Sequence, residues 1–225
     1  MKHSKRYNLA AETIEKGKPL PVDTAVQVIK SKATCKFNES LDVSINLNLQ
    51  QKHSIRDTVS FPHSFGKSSR VVVFAAGDKI QEAKDAGADF AGSDELIQKI
   101  TDGWLDFDIA VATPDMMKSI SKIAKILGTR GLMPNPKAKT VTEDIKNAVK
   151  EIKKGRKEVR ADKAGIINMS IAKADMNEKE ISENLRFLLD AVKRKRPSDL
   201  KGDYIKSVTL TSTMGPGVRI DFKSE

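Results

Sequence analysis

The residues best suited to chemistry by type and spacing lie near the carboxyl end, where positions 211–217 read Thr-Ser-Thr-Met-Gly-Pro-Gly. The three hydroxyl groups can donate hydrogen bonds to, or accept them from, a phosphate or a ribose 2′-hydroxyl. Gly215 and Gly217 let a ligand or a backbone approach closely, and Pro216 between them restricts the path of the loop. The pattern suits recognition of a shaped polar surface such as folded RNA. The alternative is an ordinary connection between two strands of a hairpin.

A second glycine- and proline-rich stretch, Gly-Thr-Arg-Gly-Leu-Met-Pro-Asn-Pro-Lys, occupies positions 128–137. It predicts a long irregular loop over residues 128–140, made basic by Arg130, Lys137 and Lys139. A loop of this length inside a compact domain is usually functional or lies at an interface. We therefore treat it as a second candidate site.

Enzyme chemistry has little support in the sequence. Gly66-Lys67-Ser68 resembles the end of a phosphate-binding P-loop, but Phe61 stands where that motif needs glycine and a strand pattern follows. The turn at Gly77 lacks the glycine fingerprint of a dinucleotide site. Cys35 is the only cysteine in the sequence, which excludes an intrachain disulfide and a cysteine-based zinc site. We expect no enzymatic activity, no cofactor and no metal.

The charge balance indicates a polyanionic partner. The 225 residues hold 40 Lys and Arg against 30 Asp and Glu, a net charge of +10. Nucleic acid is the first candidate for the partner and an anionic membrane the second. No apolar run approaches the roughly 20 residues that would span a bilayer, and the first residues show no apolar signal core. We expect a cytoplasmic protein without a membrane partner.

The elements that must position these loops fall into two patterns. Apolar residues alternate with polar ones over 41–49, which predicts a half-buried strand, and a helical apolar stripe runs from Ile181 to Val192. In the middle of the chain, continuous apolar runs at 71–74 and 109–112 predict strands buried on both faces. Helices are predicted between and after these strands, including 93–100 with Ser93 as N-cap, 116–127 and 142–153.

These patterns predict an α/β (α+β) protein of two domains. A discontinuous α+β domain is built from both termini, residues 1–67 and 159–225, and residues 68–158 form an inserted Rossmann-like, three-layer α/β domain. The inserted segment holds 16 basic and 14 acidic residues, while the two ends together hold 24 and 16. We therefore expect the domain built from the termini to face the polyanion.

Three stretches resemble the signatures of the large-subunit ribosomal protein family known as L-one: LGTRGLMPNPK at 127–137, STMGPG at 212–217 and KFNES at 36–40. The resemblance runs in order over essentially the whole chain, and LMPNPK is similar to the bacterial or organellar form. FPHSFGK at 61–67 resembles the family's LPHGTGK but departs from it at Phe61, Ser64 and Phe65. The segment 50–52 reads Gln-Gln-Lys where the family usually has Asp-Pro-Arg.

The resemblance implies that the terminal domain binds large-subunit rRNA at the mobile stalk near the tRNA exit site. It further implies a role in tRNA release, contact with exit-site tRNA, repression of translation through the protein's own mRNA leader, and a monomer when free of the ribosome. An RNA- or DNA-binding regulator outside the ribosome is the alternative, and a nucleotide-dependent enzyme is a distant third.

On this interpretation hydroxyl groups bind ribose and phosphate, cations supply counter-charge, and Glu39 accepts from a 2′-hydroxyl or a base amine. Phe37 either packs on the RNA or belongs to the core. The expected RNA-binding residues are Lys5, Arg6, Lys36, Phe37, Glu39, Ser40, Arg160, Lys163, Thr211, Ser212, Thr213, Met214 and Gly215. The expected junction and loop residues are His63, Gly66, Lys67, Arg130, Gly131, Met133, Pro134, Asn135, Pro136 and Lys137.

Overall fold

The structure, a computed structural model, describes residues 4–12, 14, 17–49, 55–66 and 69–222. Contacts within the chain divide it into two compact units. The first unit comprises Met1–Ile55, Phe61–Gly66 and Val159–Glu225, and the second comprises Arg56–Ser60 and Lys67–Glu158.

These bounds differ from the expected ones at Arg56–Ser60 and at Lys67, because the sequence pattern assigns both to the domain built from the termini. The segment Arg56–Ser60 is a strand that pairs with Arg156–Arg160 and packs against Pro136–Ala138. Its contacts therefore lie mainly with the second unit.

The described residues of the first unit form a four-stranded antiparallel sheet and three helices. The strands are β1 (Ser40–Leu47), β7 (Ile166–Lys173), β8 (Ile205–Ser212) and β9 (Val218–Ile220), in the order β7-β1-β8-β9, and the helices are α1 (Lys5–Glu12), α2 (Val22–Lys32) and α8 (Glu178–Arg194).

The central strand β1 confirms the alternation expected from the sequence. Leu41, Val43, Ile45 and Leu47 are buried, and the residues between them are partly exposed. Helices α2 and α8 contact each other and the sheet, so one face of the sheet is covered and the other carries polar side chains. Burial of the apolar face fixes the register, because a slip by one residue would turn every side chain to the wrong face.

Helix α8 begins with the capping box expected from the sequence. The Glu180 carboxylate accepts a hydrogen bond from the Asn177 backbone N–H. The apolar stripe from Ile181 to Val192 is buried, as expected for core packing. One buried position on this face, Asn184, is polar, and it is used to hold the segment that contains His63.

The second unit is built around a three-stranded parallel sheet in the order β4-β3-β5, with a two-stranded sheet beside it in the same contact unit. Its strands are β3 (Val71–Phe74), β4 (Phe90–Gly92) and β5 (Ile109–Ala112), with β2 (Arg56–Ser60) and β6 (Arg156–Arg160) in the two-stranded sheet. The last two residues of β6 are counted with the first unit. Its helices are α3 (Lys79–Asp85), α4 (Asp94–Thr101), α5 (Met117–Ile120), α6 (Ala124–Thr129) and α7 (Ile145–Lys153), with 3₁₀ turns at Ser121–Ile123 and Pro136–Ala138.

All four residues of β3 are buried, because helices pack on both faces of the parallel sheet. Val72 and Phe74 belong to a core with α4, α5 and α6, whereas Val71 and Val73 belong to a second core with α3 and α7. The predicted α/β (α+β) fold class is confirmed, and the second unit has helix, sheet and helix layers.

Three helix predictions in the second unit need correction. The expected helix 116–127 is divided into α5, a 3₁₀ turn and α6, where the Ser121 hydroxyl donates to the Lys118 carbonyl and competes with helical bonding. Ser93 precedes α4 but its side chain makes no capping bond. Helix α7 begins at Ile145 rather than near residue 142, because Asp144 is the N-cap and accepts from the Asn147 backbone N–H.

No helix in the described ranges is long and apolar enough to cross a bilayer. The same residues also contain no group of three or more His, Cys, Asp or Glu side chains placed to hold a metal ion.

Candidate nucleic-acid interface

The two candidate stretches of the first unit meet at one end of the sheet. Leu41 at the start of β1 pairs with Ser212 at the end of β8. The Thr213 backbone N–H donates to the Ser40 carbonyl at 3.0 Å, and the Ser40 N–H donates to the Thr213 hydroxyl at 2.9 Å. Residues 35–40 and 212–217 are therefore one surface, which we call the loop cluster, although they lie 173 positions apart in the sequence.

Glu39 lies beneath this surface with 2% of its area exposed. One carboxylate oxygen accepts from the Cys35 N–H at 3.2 Å, and the other accepts from the Met214 N–H at 3.0 Å. The carboxylate also receives the Ser212 hydroxyl. Burial alone raises the pKa of the Glu39 carboxyl, but these hydrogen bonds outweigh burial, the one from Met214 most, and hold the pKa below its ordinary value.

The apolar side chains of the loop cluster point outward. Phe37 is 53% exposed and Met214 is 52% exposed, and Lys36 next to Phe37 is exposed as well. Of the two expectations for Phe37, core packing is therefore wrong. Exposed large apolar residues on a fixed backbone are typical of a contact surface.

Further cations lie beside the loop cluster. The Arg6 guanidinium approaches the Cys35 sulfur at 2.8 Å, so helix α1, which also carries exposed Lys5, lies beside residues 35–40. The Lys173 ammonium donates to the Ser40 hydroxyl at 2.8 Å. Sequence reasoning missed Lys173, because only the pairing register places the end of β7 opposite Ser40.

The hydroxyl groups and Glu39 are used differently from the expectation. Ser212 is buried, and the Thr211 hydroxyl donates to the Ser212 carbonyl at 3.0 Å. The Thr213 hydroxyl is bonded to the Ser40 backbone. Burial and internal partners direct the polar atoms of Ser212 and Glu39 toward the protein, so we correct their expected role from contact with RNA to support of the loop. Thr211 is only partly buried, and its contact with RNA stays a prediction.

Gly215 closes the loop over Ser212. A Cβ atom at Gly215 would lie 2.4 Å from the Ser212 hydroxyl oxygen, a separation that no side chain tolerates without displacement. A side chain at this position would therefore push the Ser212 hydroxyl away from its place beneath the loop.

Arg160 and Lys163 do not belong to the loop cluster. Lys163 lies in the turn before β7, whose first residue Ile166 pairs with Asn46, at the other end of β1 from Ser40. Six residues along a strand span about 20 Å. The antiparallel register turns the start of β7, and Lys163 just before it, away from the loop cluster. Arg160 is the last residue of β6 and belongs to neither segment of the loop cluster.

The basic loop of the second unit, residues 130–140, has a different construction. It begins as the C-terminal cap of α6, where Gly131 has φ 71°, its N–H donates to the Gly128 carbonyl, and the Leu132 N–H donates to the Leu127 carbonyl. These two bonds form a Schellman motif, which explains the glycine. The expected irregular loop 128–140 is thus partly regular, because Gly128 and Thr129 complete α6 and Pro136–Ala138 forms a 3₁₀ turn.

The second half of this loop is tied to its own unit. The Asn135 side chain accepts from the Lys137 N–H at 2.8 Å, and the Asn135 N–H donates to the Thr140 hydroxyl at 2.8 Å. Buried Arg156 donates to the Ala138 carbonyl at 2.7 Å. The Thr140 carbonyl accepts from the Ala112 N–H at the end of β5. Pro134 is buried, whereas Arg130, Pro136 and Lys137 are exposed and Met133 is 37% exposed.

A cavity of about 260 Å³ lies under this loop, lined in part by Gly131, Met133 and Arg156. The Arg156 guanidinium that borders the cavity is already paired with the Glu151 carboxylate at 2.8 Å and with Ala138. These contacts account for the buried charge within the protein.

Comparison with known proteins agrees with the motifs. Residues 29–216 match the model of the ribosomal protein L1p/L10e family. The chain belongs to this family. It is similar to the large ribosomal subunit protein uL1 of Borrelia hermsii, with 50% identity over 221 residues that cover 98% of this chain and 99% of that protein. The protein of the same name from Treponema denticola is 48% identical over 223 residues, 99% of each chain.

Membership of the L-one family, predicted from the resemblance of its motifs, is therefore confirmed, and these relatives come from bacteria. The relatives are named as ribosomal proteins and not as enzymes, which agrees with the expectation that the chain is not an enzyme.

Within the L1 family pattern, this chain departs at Phe61, Ser64 and Phe65, and the structure shows that two of these departures are partners. The Phe61 and Phe65 rings lie 5.5 Å apart between centroids. Two aromatic rings that contact each other replace the smaller residues that we associate with the family at these positions.

The segment between these rings is held by helix α8. Asn184 accepts from the His63 N–H at 3.1 Å and donates to the His63 carbonyl at 3.0 Å. The His63 Nε2 atom also lies 2.6 Å from the Glu183 Oε2 atom. Gly66 at the end of this segment has φ 87°, in the left-handed region. Lys67 lies outside the described residues. Asn184 was missed, although a polar residue at spacing i+3 from Ile181 in an apolar stripe is a readable signal.

Proposed function

We propose that the chain is a constituent of the large ribosomal subunit and that the loop cluster of its first unit binds large-subunit rRNA. The observation that carries the proposal is the outward presentation of Phe37 and Met214 on a backbone fixed by hydrogen bonds from below. As a ribosomal protein of the bacterial type, it acts on the ribosome in the cytoplasm.

The geometry supports recognition of RNA by shape. Structured RNA is bound through its backbone, its 2′-hydroxyls and the faces of unstacked bases. Phe37 supplies an aromatic face and Met214 a polarisable apolar one, and both protrude from the same end of the sheet. Glu39 accepts from the backbone N–H of Met214 and from that of Cys35, two residues before Phe37, so the segments that carry both side chains lose little conformational entropy when RNA binds.

Cations around the loop cluster supply the electrostatic part. Lys36 and Arg6 belong to segments that the structure places together, and Lys173 reaches Ser40. The terminal segments 1–67 and 159–225 carry 24 basic and 16 acidic residues, a net charge of +8. Neutralised phosphates release counterions, so the affinity is expected to fall with salt.

The roles of the site residues are part of this proposal. Contact with RNA is made by Phe37, Met214 and the backbone at Gly215. Phosphates are faced by Lys5, Arg6 and Lys36. The two segments of the loop cluster are joined at the bond between Thr213 and Ser40, which lies at the edge of the RNA surface. Arg130 and Lys137 on the second unit are exposed and provide at most a weaker anionic contact. Arg160 and Lys163 meet RNA only if it extends to the far end of the sheet.

The finer assignments follow from family likeness. We propose that the rRNA site is the mobile stalk near the tRNA exit site, that the chain contacts exit-site tRNA and assists its release, and that it represses translation by binding its own mRNA leader. Off the ribosome we expect a monomer.

The test is a titration of the full chain with a transcript of the stalk region of large-subunit rRNA, beside a double-stranded RNA of equal length. Preference for the stalk transcript of about tenfold or more, together with a linear fall of log affinity with log salt, supports the proposal. Equal affinity for both RNAs, or a flat salt dependence, contradicts it.

The same titration with the chain's own mRNA leader tests repression, since the leader must compete with the rRNA transcript for one site. The alternative of a regulator outside the ribosome is distinguished by sedimentation in a high-salt gradient. A ribosomal constituent stays with the large subunit, whereas a regulator is released.

A further inference from the structure

Among the described residues Glu39 is the only carboxylate that is buried. Its position calls for an explanation, because a buried carboxylate loses hydration and repels phosphate at a surface that we propose meets RNA, in a protein of net charge +10. Its contacts identify that task.

The Glu39 carboxylate connects two segments from opposite parts of the chain. It accepts from the Cys35 N–H, four positions earlier, and from the Met214 N–H, 175 positions later. The Ser212 hydroxyl and the Cys35 thiol also donate to it. The Glu39 carbonyl accepts from the Ala174 N–H at 2.9 Å, so a third segment is attached at the same residue.

Gly215 limits how the loop can rearrange. Its backbone lies so close to the Ser212 hydroxyl that an added Cβ would approach to 2.4 Å. The hydroxyl is therefore confined between Gly215 and the Glu39 carboxylate, and the path of the loop depends on that carboxylate.

We propose that Glu39 is a positioning residue of the RNA site: its carboxylate fixes the backbones of Cys35 and Met214 so that Phe37 and Met214 are presented together, and it does not touch the RNA. The inference rests on the proposed function and adds to it the group that organises the surface. An ionised carboxylate accepting two backbone N–H groups has stronger hydrogen bonds than a neutral acceptor would.

The main test is Glu39→Gln in the full chain. The glutamine amide has the shape of the carboxylate but turns an NH₂ group toward one of the backbone donors. Affinity for the stalk transcript falls about tenfold with an unchanged salt slope, because no phosphate contact is lost. In NMR spectra of the RNA-free protein, the Met214 amide resonance of Glu39→Gln is shifted relative to the wild type. Glu178→Gln, an exposed acid of the same unit, changes neither affinity nor that resonance.

A double-mutant cycle separates positioning from contact. If Glu39 acts through Met214, Glu39→Gln costs much less in a Met214→Ala background than in the wild type, since coupled residues are not additive. If Glu39 itself contacts RNA, the two effects add, which overturns the proposal. Wild-type affinity in Glu39→Gln overturns it as well.

Two further outcomes are decisive. If Glu39→Gln does not fold, Ser212→Ala removes only one donor and is expected to shift the Met214 resonance and lower affinity by about threefold; no change in either overturns the proposal. If the wild type does not prefer the stalk transcript, the proposed function fails. The Met214 resonance of Glu39→Gln then still reports whether the carboxylate holds the loop.

Discussion

The chain has two glycine- and proline-rich loops, and they are built in opposite ways. In the loop cluster the polar anchors Glu39 and Ser212 lie underneath, and the large apolar side chains that remain outside are Phe37 and Met214. In residues 130–140 the polar anchors Asn135 and Thr140 bond within the loop, and Pro134 is buried.

The difference shows that composition does not decide whether such a loop presents a surface. Both loops contain a methionine near a glycine and several cations in or beside them. In the loop cluster a buried carboxylate joins segments 175 positions apart and accepts from their backbone N–H groups, and the apolar side chains point outward. In the second loop the buried charge is Arg156, which donates to a carbonyl 18 positions away. The second loop is explained largely by the cap of α6, by the bond from Arg156 and by its attachment to β5.

The largest expected effect tests this contrast directly. Phe37→Ala combined with Met214→Asp removes two apolar contacts and adds a charge facing phosphate, so we expect affinity for the stalk transcript to fall by about 2 kcal/mol or more, roughly thirtyfold. Both side chains are half exposed, so the free energy of unfolding changes by about 0.5 kcal/mol or less.

Met133→Asp in the second loop is the matched control, and it is expected to bind RNA like the wild type. A titration and a denaturation curve for each variant measure both quantities. Equal losses of affinity in the two variants contradict the contrast.

Glycine substitutions test the difference between the two loops in a second way. Gly215→Ala displaces the Ser212 hydroxyl, and we expect RNA affinity to fall by about 1–2 kcal/mol in a titration.

Gly131→Ala places a side chain at φ 71° and lowers the free energy of unfolding of the second unit by about 1 kcal/mol. RNA affinity is expected to stay at the wild-type level in Gly131→Ala, and a loss there contradicts the prediction.

Removal of single cations is expected to have a smaller effect, which is measured as the salt dependence of RNA affinity. Lys36→Ala is expected to reduce the slope of log affinity against log salt by about one and to weaken binding for every RNA tested. Lys137→Ala on the second loop leaves the slope unchanged. Titrations at several salt concentrations measure both variants, and a reduced slope for Lys137→Ala would show that the second loop also meets phosphate.

The smallest expected effect is on the pH dependence of the stability of the loop cluster. The pKa of Glu39 is below its ordinary value of 4.5 in the folded chain, so its ionised form adds stability above that pH. The contribution is lost as the pH falls through the lower, folded-state pKa. Glu39→Gln is therefore expected to make the opening of the loop cluster, followed by hydrogen exchange at Met214, less sensitive to acid.

The second unit supplies an internal control for this measurement. Trp104, the only tryptophan in the sequence, packs against Phe90 with ring centroids 4.8 Å apart and reports the second unit by fluorescence. The pKa of Asp89 is also lowered: burial raises it, but bonds from the Val71 N–H and Lys153 outweigh burial. The acid response of Trp104 is expected to be the same in wild type and Glu39→Gln, and a change in it would contradict a local effect.

Much of the fold could be predicted from local patterns. Alternation over residues 41–49 predicted β1, continuous apolar runs predicted β3 and β5, and the Asn177 and Glu180 pair predicted the start of α8. These signals are readable because helix and strand periodicities and caps depend on residues only a few positions apart. Element ends were less accurate where a serine or an aspartate competed for backbone hydrogen bonds, as at Ser121 and Asp144.

The candidate site was only partly predictable. The sequence by itself determined its two stretches and the outward Lys36, through loop composition, charge and family likeness. The inward position of Glu39 was also accessible, because the alternation of β1 extended back by two residues from Leu41 reaches it.

Only the tertiary structure decided which groups meet. The pairing of β1 with β7 and β8 brought Lys173 to Ser40, and it placed Lys163 at the far end of the sheet. It also turned the Ser212 hydroxyl inward to Glu39. Strand register between segments more than a hundred residues apart is set by burial of a shared core and not by any local pattern, so no reading of single stretches could supply it.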